Sequence, residues 1–181
     1  MAGMDSASFK RLMEVLKGED GCRVPVGRSH ALVDRRDFDL VSQYRWVLNR
    51  PATGRCCYAT TKLPDGSMVP MHRMIMAPAS EMVVDHIDGD GLNNQRFNLR
   101  VCSHAENMRN RRSVSASSGY KGVHKHRSQW RVEIRADGVR HRLGCFNSPS
   151  VAARVYDKAA RELHGAFACT NADLGLFRKT V

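Results

Sequence analysis

The chain has 181 residues, with 29 Lys and Arg against 18 Asp and Glu, so its formal charge is +11. A surplus of that size suits a polyanionic partner, nucleic acid before any other; a membrane surface would also attract it, but no basic amphipathic helix stands out, and without an apolar run of about 18 residues no transmembrane helix is expected. Charges run through Met1–Leu16 where a signal peptide needs an apolar core, so a cytoplasmic protein is expected.

The six cysteines, Cys22, Cys56, Cys57, Cys102, Cys145 and Cys169, contain no CxxC pair. Neither a zinc site nor a disulfide framework is expected from that spacing; small buried side chains are.

Residues 5–17 place Phe9, Leu12, Met13 and Leu16 at helical spacing, which predicts a short amphipathic helix within an N-terminal segment 1–20. From Cys22 the texture changes to short segments rich in β-branched and aromatic residues: CRVPV, HALVD, YRWVLN, CCYATTKL and SMVPMHRMIM. Asp34–Asp39, Pro51–Gly54 and Pro64-Asp65-Gly66 read as the turns between them, and the whole as a small, mainly antiparallel sheet. His72 closes that sheet. Its expected role is a structural contact with the next segment, its functional alternative a phosphate contact near the site.

The most informative stretch is Val83–Arg112, VVDHIDGDGLNNQRFNLRVCSHAENMRNRR. Asp85-His86 ends an apolar strand signal, and Asp88, Gly89, Asp90, Gly91, Asn93 and Asn94 are turn formers. Ser103 and Glu106 form a capping box, which predicts a helix from His104 with Asn107 one turn along. Phosphodiester cleavage needs a base to activate water and a cation on the scissile phosphate. His86 is a suitable base, since a neutral imidazole titrates near physiological pH. Asp85 and the amide oxygen of Asn107 would make a hard-oxygen site suited to Mg²⁺.

This stretch resembles the HNH homing endonuclease family, more narrowly the members with a second Asn in place of the last His. The quoted features are DH, then G-x-x-x-N-N, then NLR, then Asn107 nine positions after Asn98. The resemblance implies a ββα-metal nuclease core with one Mg²⁺ (or Mn²⁺) per active site held by Asp85 and Asn107. It makes His86 the general base and Asn98 the residue that orients its ring. His104, at the start of the helix, is a departure that replaces or assists Asn107 as a ligand.

A Ser-rich break, SVSASSG at 113–119, follows and reads as a linker. Beyond it, YKGVHKH, QWRVEIRAD and VRHRLGCF read as three strands, with Ala136-Asp137-Gly138 as a hairpin turn. Ser148-Pro149 then starts a helix with Ala152, Val155, Tyr156, Ala159 and Leu163 on one stripe, and Gly165 stops it. Residues 118–171 resemble the plant ethylene-response-factor type of DNA-binding domain. In that family the sheet lies in the major groove and the helix packs behind it. Strand alternation agrees independently: Trp130, Val132 and Ile134 share one face, and Arg131, Glu133 and Arg135 the other. Trp130 is expected in the core. By position the resemblance makes Lys121, His124, His126, Glu133, Arg135, Arg140 and Arg142 DNA contacts. Arg131 shares their face, and Lys125 and Arg127 fit phosphates. Arg100, Arg109, Arg111 and Arg112 form a basic stretch expected to track the DNA backbone.

The fold expected is therefore α+β: a nuclease core with a small N-terminal antiparallel sheet, then a three-stranded antiparallel sheet packed on one helix. The expected domains are a nuclease at 21–112, a linker at 113–119, a DNA-binding domain at 120–172 and a tail at 173–181. The function expected is metal-dependent cleavage of double-stranded DNA by a monomer or a dimer, leaving 5′-phosphate and 3′-hydroxyl ends. The alternatives are a catalytically inactive DNA-binding regulator and, third, an RNA-directed binder.

Overall fold

The computed structural model describes residues 21–50 and 57–177. The helix expected over 5–17, the turn at Pro51–Gly54, Cys56 and the last four residues of the tail lie outside the described residues. The chain divides into two compact units, one ending at Cys102 and the other beginning at Ser103.

In the first unit, β1 (Cys22–Val26) and β2 (Ser29–Val33) pair antiparallel through a tight turn. Their alternation buries Val24, Val26, Ala31 and Val33. Asp34–Asp39, expected as a turn, instead leads into a helix, α1 (Arg35–Ser42), with Asp34 at its N-cap. The reason is the apolar pattern: Phe38 and Val41, three apart, both bury on one helical stripe, while the Asp34 carboxylate makes no side-chain cap and accepts from the Arg96 amide at 3.0 Å instead.

Strands β3 (Val47–Asn49), β4 (Tyr58–Lys62) and β5 (Met68–Pro70) form a second antiparallel sheet in that order. The last segment, expected as one strand through Met76, ends at Pro70 and continues as helix α2 (Met71–Met76). Pro70 caps the helix start with its fixed φ, and Met71 and Ile75, four apart, bury on the same side. Trp46 anchors the core, and its indole nitrogen donates to the Val41 carbonyl at 2.8 Å.

Strands β6 (Val83–His86) and β7 (Leu99–Cys102) pair antiparallel, opposing Asp85 to Arg100 and His86 to Leu99. A bidentate ion pair fastens this hairpin to the preceding elements. Arg96 Nε and Nη2 donate to Asp37 on α1 at 2.8 and 2.7 Å, and Nη2 also donates to the Ile75 carbonyl at 3.0 Å. Asp37 is buried, so the pair is well defined as well as strong.

The second unit opens with α3 (His104–Arg109), and its capping box forms as the sequence predicts: Ser103 Oγ accepts from the Glu106 amide, and Glu106 Oε2 accepts from the Ser103 amide at 2.8 Å. The 113–119 stretch is tied into a turn, with the Ser115 amide donating to the Tyr120 carbonyl and the Gly119 amide to that of Ser115. Strands β8 (Val123–His126), β9 (Gln129–Ala136) and β10 (Val139–Phe146) form a meander with β9 in the centre. Asp137 and Gly138 turn it with positive φ values of 48° and 79°. Helix α4 (Pro149–His164) packs on the sheet through Ala152, Ala153 and Ala160, all fully buried, with Pro149 in its first turn and Gly165 at its end. Such small residues let the backbone approach the sheet closely. Asp157 on α4 accepts from the amide nitrogens of Asn171 and Ala172 at 2.7 and 3.0 Å, which staples the segment after the helix.

Candidate active site

Asp85 and His86 end β6, and both are buried, at 7% and 5% exposure. A carboxylate that far from water needs a countercharge. Arg100, its partner across the hairpin, supplies one, with Nε and Nη2 donating to Asp85 Oδ2 at 2.9 and 2.7 Å. Arg100 was expected to track the DNA backbone; its guanidinium lies on the candidate metal ligand instead.

The amide beside the His86 ring is that of Asn94, whose Oδ1 lies 3.3 Å from His86 Nε2. An amide oxygen only accepts, so Nε2 carries the proton of the neutral ring and Nδ1 is its basic nitrogen. Asn98, expected to orient this ring, uses its side chain one step away. Its Nδ2 donates to Asp88 Oδ1 at 2.9 Å and to the Asn93 carbonyl at 2.8 Å, and its Oδ1 accepts from the Asp88 amide. Asn98 thereby shapes the loop that presents Asn94. The sequence offered no way to choose between two asparagines whose roles depend on how a turn closes.

That loop is laced throughout. Asp88 Oδ1 accepts from the Asp90 amide, and Asp90 Oδ1 from the Leu92 amide. Backbone bonds from Leu32 to Leu92 and from Asn94 to Leu32 tie it to β2. At Gly91 a Cβ would stand 2.3 Å from the Cys57 carbonyl oxygen and 2.7 Å from the Tyr58 ring, so only glycine lets the loop approach β4 this closely.

Burial holds the His86 pKa below the ordinary imidazole range, opposed by the Asn94 hydrogen bond and by the charges of Asp88, Asp85 and Asp90. The ring is therefore neutral, as a base must be, while the surrounding carboxylates favour the imidazolium that forms on accepting a proton.

His72, on α2, stands with its ring centroid 4.9 Å from that of His86 and nearly perpendicular to it, at 84°. Tyr58 lies 5.3 Å from His72 and 5.8 Å from His86. Burial, with help from His86 and Arg73, pushes the His72 pKa from the ordinary 6.5 down to about 3. Below pH 6.5 the unfolded chain binds a proton that the folded chain refuses. The stability contribution of His72 is thus complete above that pH and is lost as the pH falls toward 3. The unfolding free energy measured by urea titration is expected to drop across that window by up to about 1.4 kcal/mol per pH unit, and a His72→Phe substitution should flatten the slope.

The remaining candidates lie in the second unit. His104 is exposed and Asn107 half-buried on α3; Arg109 is half-buried, while Arg111 and Arg112 are exposed. His124, Lys125, His126, Arg127, Arg135, Arg140 and Arg142 are exposed on the sheet. Arg131, Arg140 and Arg142 converge on Glu133, with nearest distances of 3.2, 3.9 and 3.4 Å. One carboxylate thus gathers three arginines on the polar face. Lys121 is placed differently from the expected DNA contact: it is buried, and its Nζ donates to the carbonyls of Arg109 and Arg111 at 3.1 and 2.6 Å. Trp130 packs against the core, as its alternation predicts, with Lys125 Nζ 4.5 Å from its ring centroid.

Among the described residues no three His, Cys, Asp or Glu side chains cluster to hold a metal ion, and no helix is long and apolar enough to cross a membrane. Residues 63–109 match the family model described as HNH endonuclease. An uncharacterised HNH endonuclease of Acanthamoeba polyphaga mimivirus is 31% identical over 148 residues, covering 78% of this chain and 74% of the relative. Protein 3.8 of Escherichia phage T7 is 40% identical over 88 residues, 47% of this chain and 72% of that protein. An ethylene-responsive transcription factor of Arabidopsis thaliana is 42% identical over 66 residues, 35% of this chain and 26% of the relative. No solved structure matches significantly.

Proposed function

This chain belongs to the HNH endonuclease family, and from that premise we propose that it is a metal-dependent, homing-type endonuclease of duplex DNA. The observation that carries the reading is the buried Asp85-His86 step, with a neutral imidazole held against an amide oxygen beside a carboxylate. In this proposal the hairpin and α3 are the ββα-metal core of a nuclease domain at 21–112. After the linker at 113–119, the domain at 120–172 reads the major groove.

The donor chemistry fits a hard divalent cation. Asp85 offers a carboxylate and Asn107 an amide oxygen, and Mg²⁺ is commonly held by one or two protein oxygens with water and substrate phosphate completing its shell. A bound Mg²⁺ or Mn²⁺, one per site, would supply charge stabilisation at the scissile phosphate and the departing 3′ oxygen. His86 Nδ1 takes the proton from the attacking water, and Asn94 keeps the opposite nitrogen protonated. Asn98 holds Asn94 in place through the loop. His104 is the reserve ligand at the helix start. Arg100 holds the Asp85 carboxylate in place, and Arg109, Arg111 and Arg112 line the path of the DNA backbone.

On the C-terminal sheet, Arg131, Arg140 and Arg142 are pre-aligned by Glu133 for bases and phosphates. The likeness to a plant transcription factor supports this use of the sheet. A competing reading, a DNA-binding regulator with the hairpin as scaffold, draws on the Arg100–Asp85 pair, which already balances the carboxylate.

The test is cleavage of an end-labelled duplex with Mg²⁺ and with EDTA, followed by analysis of the new ends. Ligatable 5′-phosphate ends formed only with Mg²⁺ are expected. A gel shift without cutting under any divalent cation would select the regulator.

A further inference from the structure

Three aromatic rings from three separate elements meet at the candidate base: Tyr58 from β4, His72 from α2 and His86 from β6. Their centroids are 4.9, 5.3 and 5.8 Å apart, so each ring touches both others. Edge-to-face packing at such distances fixes the relative tilt of rings. The hydrogen bond to Asn94 holds one edge of the His86 ring, and a perpendicular neighbour resists rotation of the ring about that bond.

We propose that His72 is a positioning residue of the cleavage reaction: its ring, with that of Tyr58, fixes the plane in which the imidazole of His86 meets the water it activates. The inference rests on the reading of His86 as the base.

Two further observations support it. Nδ1 of His72 is buried with no hydrogen-bond partner, so that nitrogen does not tie the ring into the fold. The ring is also kept neutral by burial, with its pKa pushed down to about 3, so it adds no cation beside the base. A neutral ring in contact with His86 is what the structure retains at this position.

The test uses the full chain with a duplex substrate and Mg²⁺, comparing the parent, His86→Ala, His72→Ala and His72→Phe. His72→Ala is expected to lower kcat by about ten- to a hundredfold with KM for DNA unchanged, as a misplaced reacting group does. His72→Phe keeps a neutral ring and removes an unpartnered buried nitrogen, so it should fold at least as well as the parent and recover most of kcat. In ¹⁵N-edited spectra the imidazole signals of His86 should broaden or shift in the Ala variant and return toward the parent in the Phe variant.

Equal kcat in His72→Ala and the parent would overturn the proposal, as would equal losses in the Ala and Phe variants, or a change confined to KM. Should His72→Ala fail to fold, the Phe variant decides alone: a kcat near the parent's supports the proposal and a tenfold loss ends it. Full activity in His86→Ala would instead remove the reading on which it rests.

Discussion

Replacing His86 with alanine is expected to lower the single-turnover rate of DNA cleavage by roughly 10²–10⁴-fold, the usual worth of a general base. DNA affinity should stay near that of the parent. The ring is 5% exposed and contributes little surface to a bound duplex. Its burial keeps it neutral, and the nearby carboxylates of Asp88, Asp85 and Asp90 favour the protonated ring that the reaction creates. Removing the ring leaves those charges with no proton to receive. A His86→Gln variant, which can still meet Asn94, should be as slow as alanine, because an amide cannot accept the proton from water. If the glutamine variant cut at the parent's rate, the base would have to be another group.

The second large effect is expected at Gly122, which lies in the left-handed region with φ at 72°. A Cβ there would stand 2.0 Å from the ring of Tyr156, a buried residue of α4. The backbone has no room to retreat, since the Gly122 carbonyl accepts the Glu133 amide at 3.0 Å. Gly122→Ala therefore combines an unfavourable backbone conformation with a clash in the core, and a cost on the order of 4 kcal/mol or more is expected. Thermal unfolding should show the C-terminal unit melting early, with the DNA binding proposed for it lost. A variant whose melting matched the parent's would mean that the helix does not pack on the sheet as described.

Much of this was legible in the chain because several signals agreed locally. The capping box at Ser103 and Glu106 fixed the start of α3, and Ser148-Pro149 with Gly165 bounded α4. Alternation along Trp130–Arg135 separated the buried from the polar face. The errors fell where short elements compete. Asp34–Asp39 carries turn-forming aspartates, yet the pair Phe38 and Val41 makes it a helix, and Pro70 divides an apolar run into a strand and a helix. The exchange of Asn94 for Asn98 beside His86 depended on the folded path of the loop, and so did the pairing of Arg100 with Asp85 and the burial of Lys121. A list of side-chain types carries no such three-dimensional information. The three rings at His86 come from β4, α2 and β6, and only the tertiary fold brings them together.

The most direct measurement is conversion of supercoiled plasmid by the full chain, with parent and His86→Ala run side by side in Mg²⁺ and in EDTA. Nicked or linear plasmid is predicted for the parent in Mg²⁺ alone, with the other three reactions leaving the plasmid supercoiled. Equal cutting by parent and His86→Ala, or cutting by the parent that persists in EDTA, would contradict a metal-dependent nuclease centred on Asp85 and His86.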